Sequence, residues 1–255
     1  MMKYSWKSRL YTLLSCIFFI GIWQLIAVII NNDIYIPRLE QVLEVIKNIF
    51  GDKNSLKIIF SSFYRTTTSY VLALIFSMIL GVLATVYPFF KYLMEPVNSF
   101  SKTIPTMVLV VLSLVWFDKD STPFVAGFAI IFPILYEGIR NNLLQIDKKI
   151  IDMTKIYEVS LRNKIKKIYI PTMKSYFMSI FVSTFSLTFK VVIAGEVYGQ
   201  PKFGIGSQIQ VEKVNFNTPG IFAWIVIIVI VSLVLEFLNK LLRKRTYRPV
   251  SYTHL

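Results

Sequence analysis

The sequence predicts an all-α, polytopic integral membrane protein with about six transmembrane helices. Three observations carry this. First, 16% of the 255 residues are charged and 55% are hydrophobic, whereas a soluble domain carries about a quarter charged residues. Second, the charge is uneven: long apolar runs alternate with short basic stretches, the pattern of a chain that crosses a bilayer. Third, Lys and Arg are unequally divided between alternate connecting segments, as the positive-inside rule demands.

A spanning helix needs about 20 mostly apolar residues. Leu10 to Ile30 is the first candidate. It follows Lys3, Lys7 and Arg9 but is too long for a signal peptide's apolar region, and no small-residue cleavage site follows. Ser69 to Phe90, Ile104 to Phe117, Pro123 to Tyr136, Tyr176 to Tyr198 and Ile221 to Leu238 complete the set. The third and fourth are short. Six spans is the expectation, and five the alternative if those two form a broken hairpin.

With the N-terminus inside, the cytoplasmic segments hold nineteen Lys and Arg and the outer segments eight, with Lys190 left inside a span. That bias predicts both termini in the cytoplasm. Most outer basic residues lie in Asn31 to Arg65, balanced by Asp33, Glu40, Glu44 and Asp52. There Val42, Val45, Ile46, Ile49 and Phe50 recur at helical spacing, which predicts an amphipathic helix near the outer surface.

Several chemistries are excluded. The net charge of +14 follows the apolar runs and reads as membrane topology rather than nucleic-acid binding. One Cys (Cys16) and one His (His254) build no disulfide and no zinc or haem site. No cofactor or metal is expected. No Gly-x-x-x-x-Gly-Lys-Ser/Thr loop is present to cradle ATP phosphates, so energy for active transport would come from a partner. The last residues, 249–255, break the preceding basic pattern and resemble translated cloning sequence; they are read as not native, and His254 has no role.

The most patterned connector is the inside loop from Arg140 to Met173. Leu143, Leu144, Ile146, Ile150, Ile151, Met153, Ile156 and Tyr157 recur at helical spacing between charges, and Asn163 punctuates. A second short basic helix, Lys164 to Ile170, runs into Pro171, which is suited to start the next membrane helix. Residues alone leave two readings open: a solvated basic loop, or a docking element for a cytoplasmic partner.

This loop resembles the EAA loop of binding-protein-dependent ABC importer permeases. That pattern is Glu-Ala-Ala, a Gly a few residues on, and a closing Ile-x-Leu-Pro. Asp152, Met153 and Thr154 stand where Glu-Ala-Ala is expected, Glu158 where the Gly is, and Ile168-Tyr169-Ile170-Pro171 at the close. Spacing and the final Pro match, Asp152 replaces Glu conservatively, and both Ala and the Gly are lost. The resemblance extends from about Arg65 to Glu236. It includes Gly81, Glu95-Pro96, Ile104-Pro105, Trp116-Phe117, Phe132-Pro133, Ala194-Gly195-Glu196, Gly204-Ile205-Gly206 and Phe222-Ala223-Trp224. The branch it most resembles handles nitrate, sulfonate, taurine and bicarbonate, or a thiamine-precursor pyrimidine.

The resemblance implies a type I ABC importer transmembrane fold in the cell membrane. It divides the chain into an N-terminal helix and outer amphipathic segment (1–64), a transporter domain with a coupling loop (65–240, loop 140–173) and a basic tail (241–255). It implies a non-enzymatic subunit that pairs with a second permease copy, two cytoplasmic ATPase subunits and one extracytoplasmic solute-binding protein. Asp152, Met153, Thr154, Glu158 and Pro171 would then couple to the ATPase. The solute would be small and anionic or zwitterionic.

Lys190 and Glu196 are the charges set well inside a span. A Lys at mid-membrane costs about 2.5–3.5 kcal/mol, and such groups usually face a bundle interior or water. They lie about 120° apart on an ideal helix, so they should not pair. Either Glu196 is solvated at the outer interface, or both line the path or bond to another span. Lys190, the deeper, is the better candidate for attracting an anion. Pro105 and Pro133 either kink helices with no further role or break them beside the path. Two rivals stay open. A channel or secondary transporter would not need the docking loop. A membrane-embedded enzyme would need several polar groups at one depth.

Overall fold

The computed structural model describes residues 6–246, with side chains described over 10–237. The 249–255 segment and His254 lie outside the described residues. Among those described, every regular element is helical, as the sequence predicts.

The helices run in the order α1 (Trp6–Ile30), α2 (Leu39–Gly51), α3 (Lys53–Val86), α4 (Pro88–Thr103), α5 (Thr106–Trp116), α6 (Thr122–Leu144), α7 (Lys148–Ile156), α8 (Leu161–Lys164), α9 (Ile170–Gly199), α10 (Ile205–Val214) and α11 (Thr218–Thr246). A π-helical turn, Ile165–Tyr169, joins α8 to α9. Five helical segments are long and apolar enough to cross a membrane, and six if the bent pair α4–α5 counts as one span.

Three boundaries differ from expectation. The amphipathic helix occupies Leu39–Gly51 rather than the whole of 31–65. Asp52 stops it and starts α3, accepting from the Asn54 N–H at 3.1 Å; the spanning helix therefore begins well before Ser69. The expected third span, Ile104–Phe117, holds only the 11-residue α5, about 16 Å long and too short to cross alone. The chain bends by 111° between α4 and α5, at Ile104-Pro105, because the residue before a proline is pushed out of the helical region. The expected fourth span is the complete α6, 23 residues long, with Pro133 inside it. The break thus lies before the third candidate, not between the third and the fourth.

The described helices fall into two compact units, residues 1–56 with 208–229 and residues 57–207 with 230–255. In the first, Gln24 ties α1 to the start of α2: its amide donates to Glu40 at 2.9 Å and its carbonyl accepts from the Leu39 N–H at 3.0 Å. The Trp23 and Phe222 rings lie 4.8 Å apart, and Thr218 Oγ1 donates to the Ile34 carbonyl at 2.7 Å. Most of α1 is exposed and apolar, as suits a helix bathed in lipid.

In the second unit, α6 and α9 form the most extensive helix pair. They are antiparallel: Gly195 sits against Pro123 and Gly138 against Tyr176, and a Cβ on Gly195 would lie 2.8 Å from the Pro123 Cα. Small residues let transmembrane helices approach this closely. α3 runs parallel to α6. Ser69 Oγ donates to the Phe124 carbonyl and Ser77 Oγ to the Phe132 carbonyl, both at 2.9 Å. The eight-residue interval is the same on both helices, so two bonds fix one register. Such interhelical bonds contribute about 0.6 kcal/mol each on average in membranes. Tyr70, Ile131, Leu135 and Phe185 fill the space between the three helices.

Candidate functional site

The loop between α6 and α9 holds a short amphipathic helix, α7, followed by a continuous helical segment. Asp147 caps α7, its side chain accepting from the Lys149 N–H at 2.9 Å, as N-cap aspartates do. Along α7, Thr154 turns inward and donates to the Ile151 carbonyl at 2.6 Å. Ile150, Met153, Ile156 and Tyr157 turn outward, the last two 76% and 74% exposed. Asp152 and Lys155 form a surface ion pair at 3.2 Å.

The helix ends where the resemblance places a missing glycine. Glu158 is left-handed, with φ of 47°. The Val159 N–H donates to the Thr154 carbonyl and the Glu158 N–H to the Lys155 carbonyl, the paired bonds of a Schellman ending. Glu158 thus keeps the backbone conformation that a Gly would adopt without cost. The punctuation therefore falls at Tyr157–Ser160 and not at Asn163, which lies within α8. From Leu161 to Gly199 the chain is one continuous helical segment. Pro171 stands in the first turn of α9, and the widened π turn just before it accommodates the proline ring, which would clash with the carbonyl four residues back. A groove of about 600 Å³ between α7 and α8 is lined by Tyr157, Glu158, Val159, Asn163, Lys167 and Ile168 among others.

The far end of α9 carries the densest polar constellation. Glu196 has no exposed surface. Its carboxylate accepts from Ser62 Oγ at 2.7 and 2.9 Å, Arg65 Nη1 at 3.0 Å and the Gly206 N–H at 3.0 Å. Ser62 Oγ in turn accepts from the Ile205 N–H at 2.8 Å. Arg65 Nη1 also donates to the Phe203 carbonyl at 2.5 Å, and its Nη2 lies 3.7 Å from Asp120. One carboxylate therefore joins α3, α9 and the start of α10. The glycines of Gly204-Ile205-Gly206 make room for it: a Cβ on Gly204 would lie 2.6 Å from the carboxyl carbon, and one on Gly206 would lie 2.3 Å from the Ile193 carbonyl oxygen. The α5–α6 turn beside it is held by Asp118, which accepts from the Ser121 and Asp120 N–H groups; the Ser121 N–H foremost keeps its carboxyl below the usual range. A cleft of about 470 Å³ opens beside Arg65 and Asp120.

Lys190 does not join this constellation. It is exposed on the surface of α9, on the same face as Ser183 and Leu187, while Glu196 points inward. Pro105 is exposed at the α4–α5 bend, and Pro133 is buried within α6. Sequence reasoning missed Ser62 and the part Arg65 plays. The signal was there: Ser62, Thr66, Ser69 and Ser77 recur at helical spacing in an apolar helix, and all four are fully buried. No cluster of three metal-ligating side chains occurs among the described residues.

Long apolar helices, one bent pair and an exposed amphipathic helix ahead of a continuous helical segment define a multi-pass membrane protein. A family model, the binding-protein-dependent transport system inner membrane component, matches residues 74–248. The chain belongs to that family. It is similar to a putative ABC transporter permease protein, MJ0413, of Methanocaldococcus jannaschii, 25% identical over 221 residues that span 84% of this chain and 82% of the relative. It is also similar to the putative aliphatic sulfonates transport permease protein SsuC of Bacillus subtilis, 22% identical over 95% of this chain and 87% of the relative. Among solved structures, a chain of the MetNI methionine ABC transporter in inward-facing conformations shares the fold. Its TM-score is 0.63 at 16% identity, over 76% of this chain and 96% of that one. The protein is thus a membrane component of the binding-protein-dependent transport family, similar to ABC transporter permeases and sharing their importer fold.

Proposed function

We propose that this chain is the permease subunit of an ATP-driven importer, with both termini in the cytoplasm and two copies forming the path. A cytoplasmic ATPase seats on α7, and an extracytoplasmic binding protein delivers a small anionic or zwitterionic solute, such as a sulfonate. The observation that carries this reading is the exposed apolar face of α7 (Ile150, Met153, Ile156, Tyr157). An apolar helix face at the end of a rigid stalk fits a groove on a partner. The stalk, Leu161–Gly199, is continuous from the turn that ends α7 to Glu196, which supports transmission of motion from the docking element along α9. Asp152, Met153, Thr154 and Glu158 form the docking element, and Pro171 marks where it enters the membrane.

Lys190 lines the path on the face of α9 turned to the second copy. The cost of a charge at mid-membrane, about 2.5–3.5 kcal/mol, supports a polar neighbour for it rather than lipid. Pro105 shapes the path at the α4–α5 bend, Pro133 through α6, and Glu196 fixes the path's outer end through Arg65. Ile156→Asp with Tyr157→Ala should abolish co-purification of the ATPase while leaving membrane insertion intact. Charge reversal at Lys164, Lys166 and Lys167 should weaken assembly less. Wild-type yield of the full complex from the α7 double variant, with normal uptake, would overturn the docking assignment and leave a channel or secondary transporter as the reading.

A further inference from the structure

The polar pocket between α4 and α6 has no part in the docking element or the outer constellation. It encloses about 220 Å³ and is lined by Lys91, Glu95, Asn98, Ser99 and Lys102 of α4 and by Tyr136, Glu137 and Arg140 of α6. Lys102 pairs with Glu137 at 2.7 Å, which leaves Lys91 and Arg140 against Glu95. No ion pair of Arg140 is found among the described residues, and its Nε is buried without a hydrogen-bond partner. A guanidinium is costly to keep half-buried without an acceptor, because its donors lose water and gain nothing. The pocket therefore presents an unspent donor and a second cation at one place.

The rest of α4 says what kind of acceptor is at hand. Phe89, Leu93, Val97 and Phe100 are all exposed and recur at helical spacing along one side. Glu95, Ser99 and Lys102 lie along the other. An amphipathic helix of this kind, begun at Pro88 and turned by 111° from the next helix, suits the plane of the membrane interface. There the available anions are phospholipid headgroups, and basic pockets between helices at this level are lipid-recognition sites.

We propose that Arg140 and Lys91 bind the phosphate of an anionic phospholipid headgroup, with the acyl chains lying along the Phe89–Phe100 side of α4. The guanidinium fork matches two phosphate oxygens. The Lys102–Glu137 pair closes the pocket on its other side. This site depends on the chain lying in a membrane and not on any ATPase or solute.

The test uses the purified full-length chain in detergent, titrated with short-chain phosphatidylglycerol or phosphatidylcholine and read by native mass spectrometry and thermal melting. Wild type should bind phosphatidylglycerol roughly tenfold more tightly than phosphatidylcholine, the order of effect of one charge-assisted contact. Arg140→Gln and Lys91→Gln should remove that preference, while Arg140→Lys should retain part of it. Melting in phosphatidylcholine alone should be alike for all four proteins, which separates lost binding from lost folding. Equal binding of the two lipids by wild type, or an undiminished preference in both Gln variants, would overturn the proposal. So would inorganic phosphate stabilising the wild type as well as the lipid at equal concentration, since the site would then serve a soluble phosphate. If the Arg140→Gln variant alone lost a second copy of the chain, with unchanged lipid binding, the pocket would be a subunit interface instead.

Discussion

The two ends of α9 solve opposite problems. At the Glu196 end every polar atom of the carboxylate is used, by Ser62, Arg65 and the Gly206 N–H, and no surface is left to water. At the α7 end large apolar side chains stand in the open and the ion pair between Asp152 and Lys155 is a surface one. A saturated network in a low-dielectric interior is rigid, because any displacement strands a buried group. An exposed apolar face is the reverse, a surface unfinished until a partner covers it. The contrast teaches where the protein stores stability and where it offers interaction, at opposite ends of the Leu161–Gly199 segment.

The sharpest way to break the contrast is to open the closed end. Glu196→Ala should destabilise the chain by about 3 kcal/mol, because it leaves the Ser62 hydroxyl and the Gly206 N–H buried without their acceptor. Chemical denaturation in detergent micelles measures it, and Glu196→Gln, which keeps the shape, should cost less. A cost near that of a surface substitution would mean that the network reorganises freely. Next comes crowding. Gly206→Ala should cost about 1–3 kcal/mol, since its Cβ would meet the Ile193 carbonyl oxygen. Gly51, at the end of α2, has open space around it, and there the same change should be neutral or stabilise by up to about 1 kcal/mol. Similar melting shifts at the two positions would refute the packing account.

At the open end effects on stability should be small. Glu158→Gly should stabilise the chain by about 1 kcal/mol, by removing the penalty of a left-handed non-glycine residue, while leaving the α7 ending unchanged. A destabilised variant would show that the Glu158 side chain contributes more than its backbone costs. Smallest of all, Asp152→Ala should change stability by no more than about 0.5 kcal/mol, as is usual for exposed pairs spaced along a helix. The same variant tested for ATPase co-purification separates a docking role from a folding one.

Much of this was legible in residue order. The apolar runs gave most of the spans, and the resemblance that marks Glu158 as standing in place of a Gly falls on the residue found left-handed. Pro105 signalled a helix kink, but the 111° break lies between α4 and α5, not between the third and fourth candidate spans as the five-span alternative supposed. An 11-residue apolar run looks like a short span until its neighbour's direction is known. The Arg65–Glu196 bond was not legible, because the two residues are separated by 131 positions; Glu196 reads as a charge inside a span that could bond to another, but nothing in residue order names Arg65, in an outer segment, as its partner.

By itself the sequence determined what a one-dimensional periodicity and composition can encode: all-α class, membrane residence, the centres of most spans, and the helical spacing of the loop between α6 and α9. Those properties follow from each segment's own transfer free energy and hydrogen bonding within the segment, which neighbours barely alter. Only the tertiary structure decided which buried polar groups meet. It decided that Glu196 takes its partners from α3 and the start of α10, that Ser69 and Ser77 set the α3–α6 register, and that Lys190 faces outward while Glu196 faces inward. Pairing between distant segments depends on helix rotation and register, and these are set by how small residues such as Gly195 and Gly206 let backbones approach.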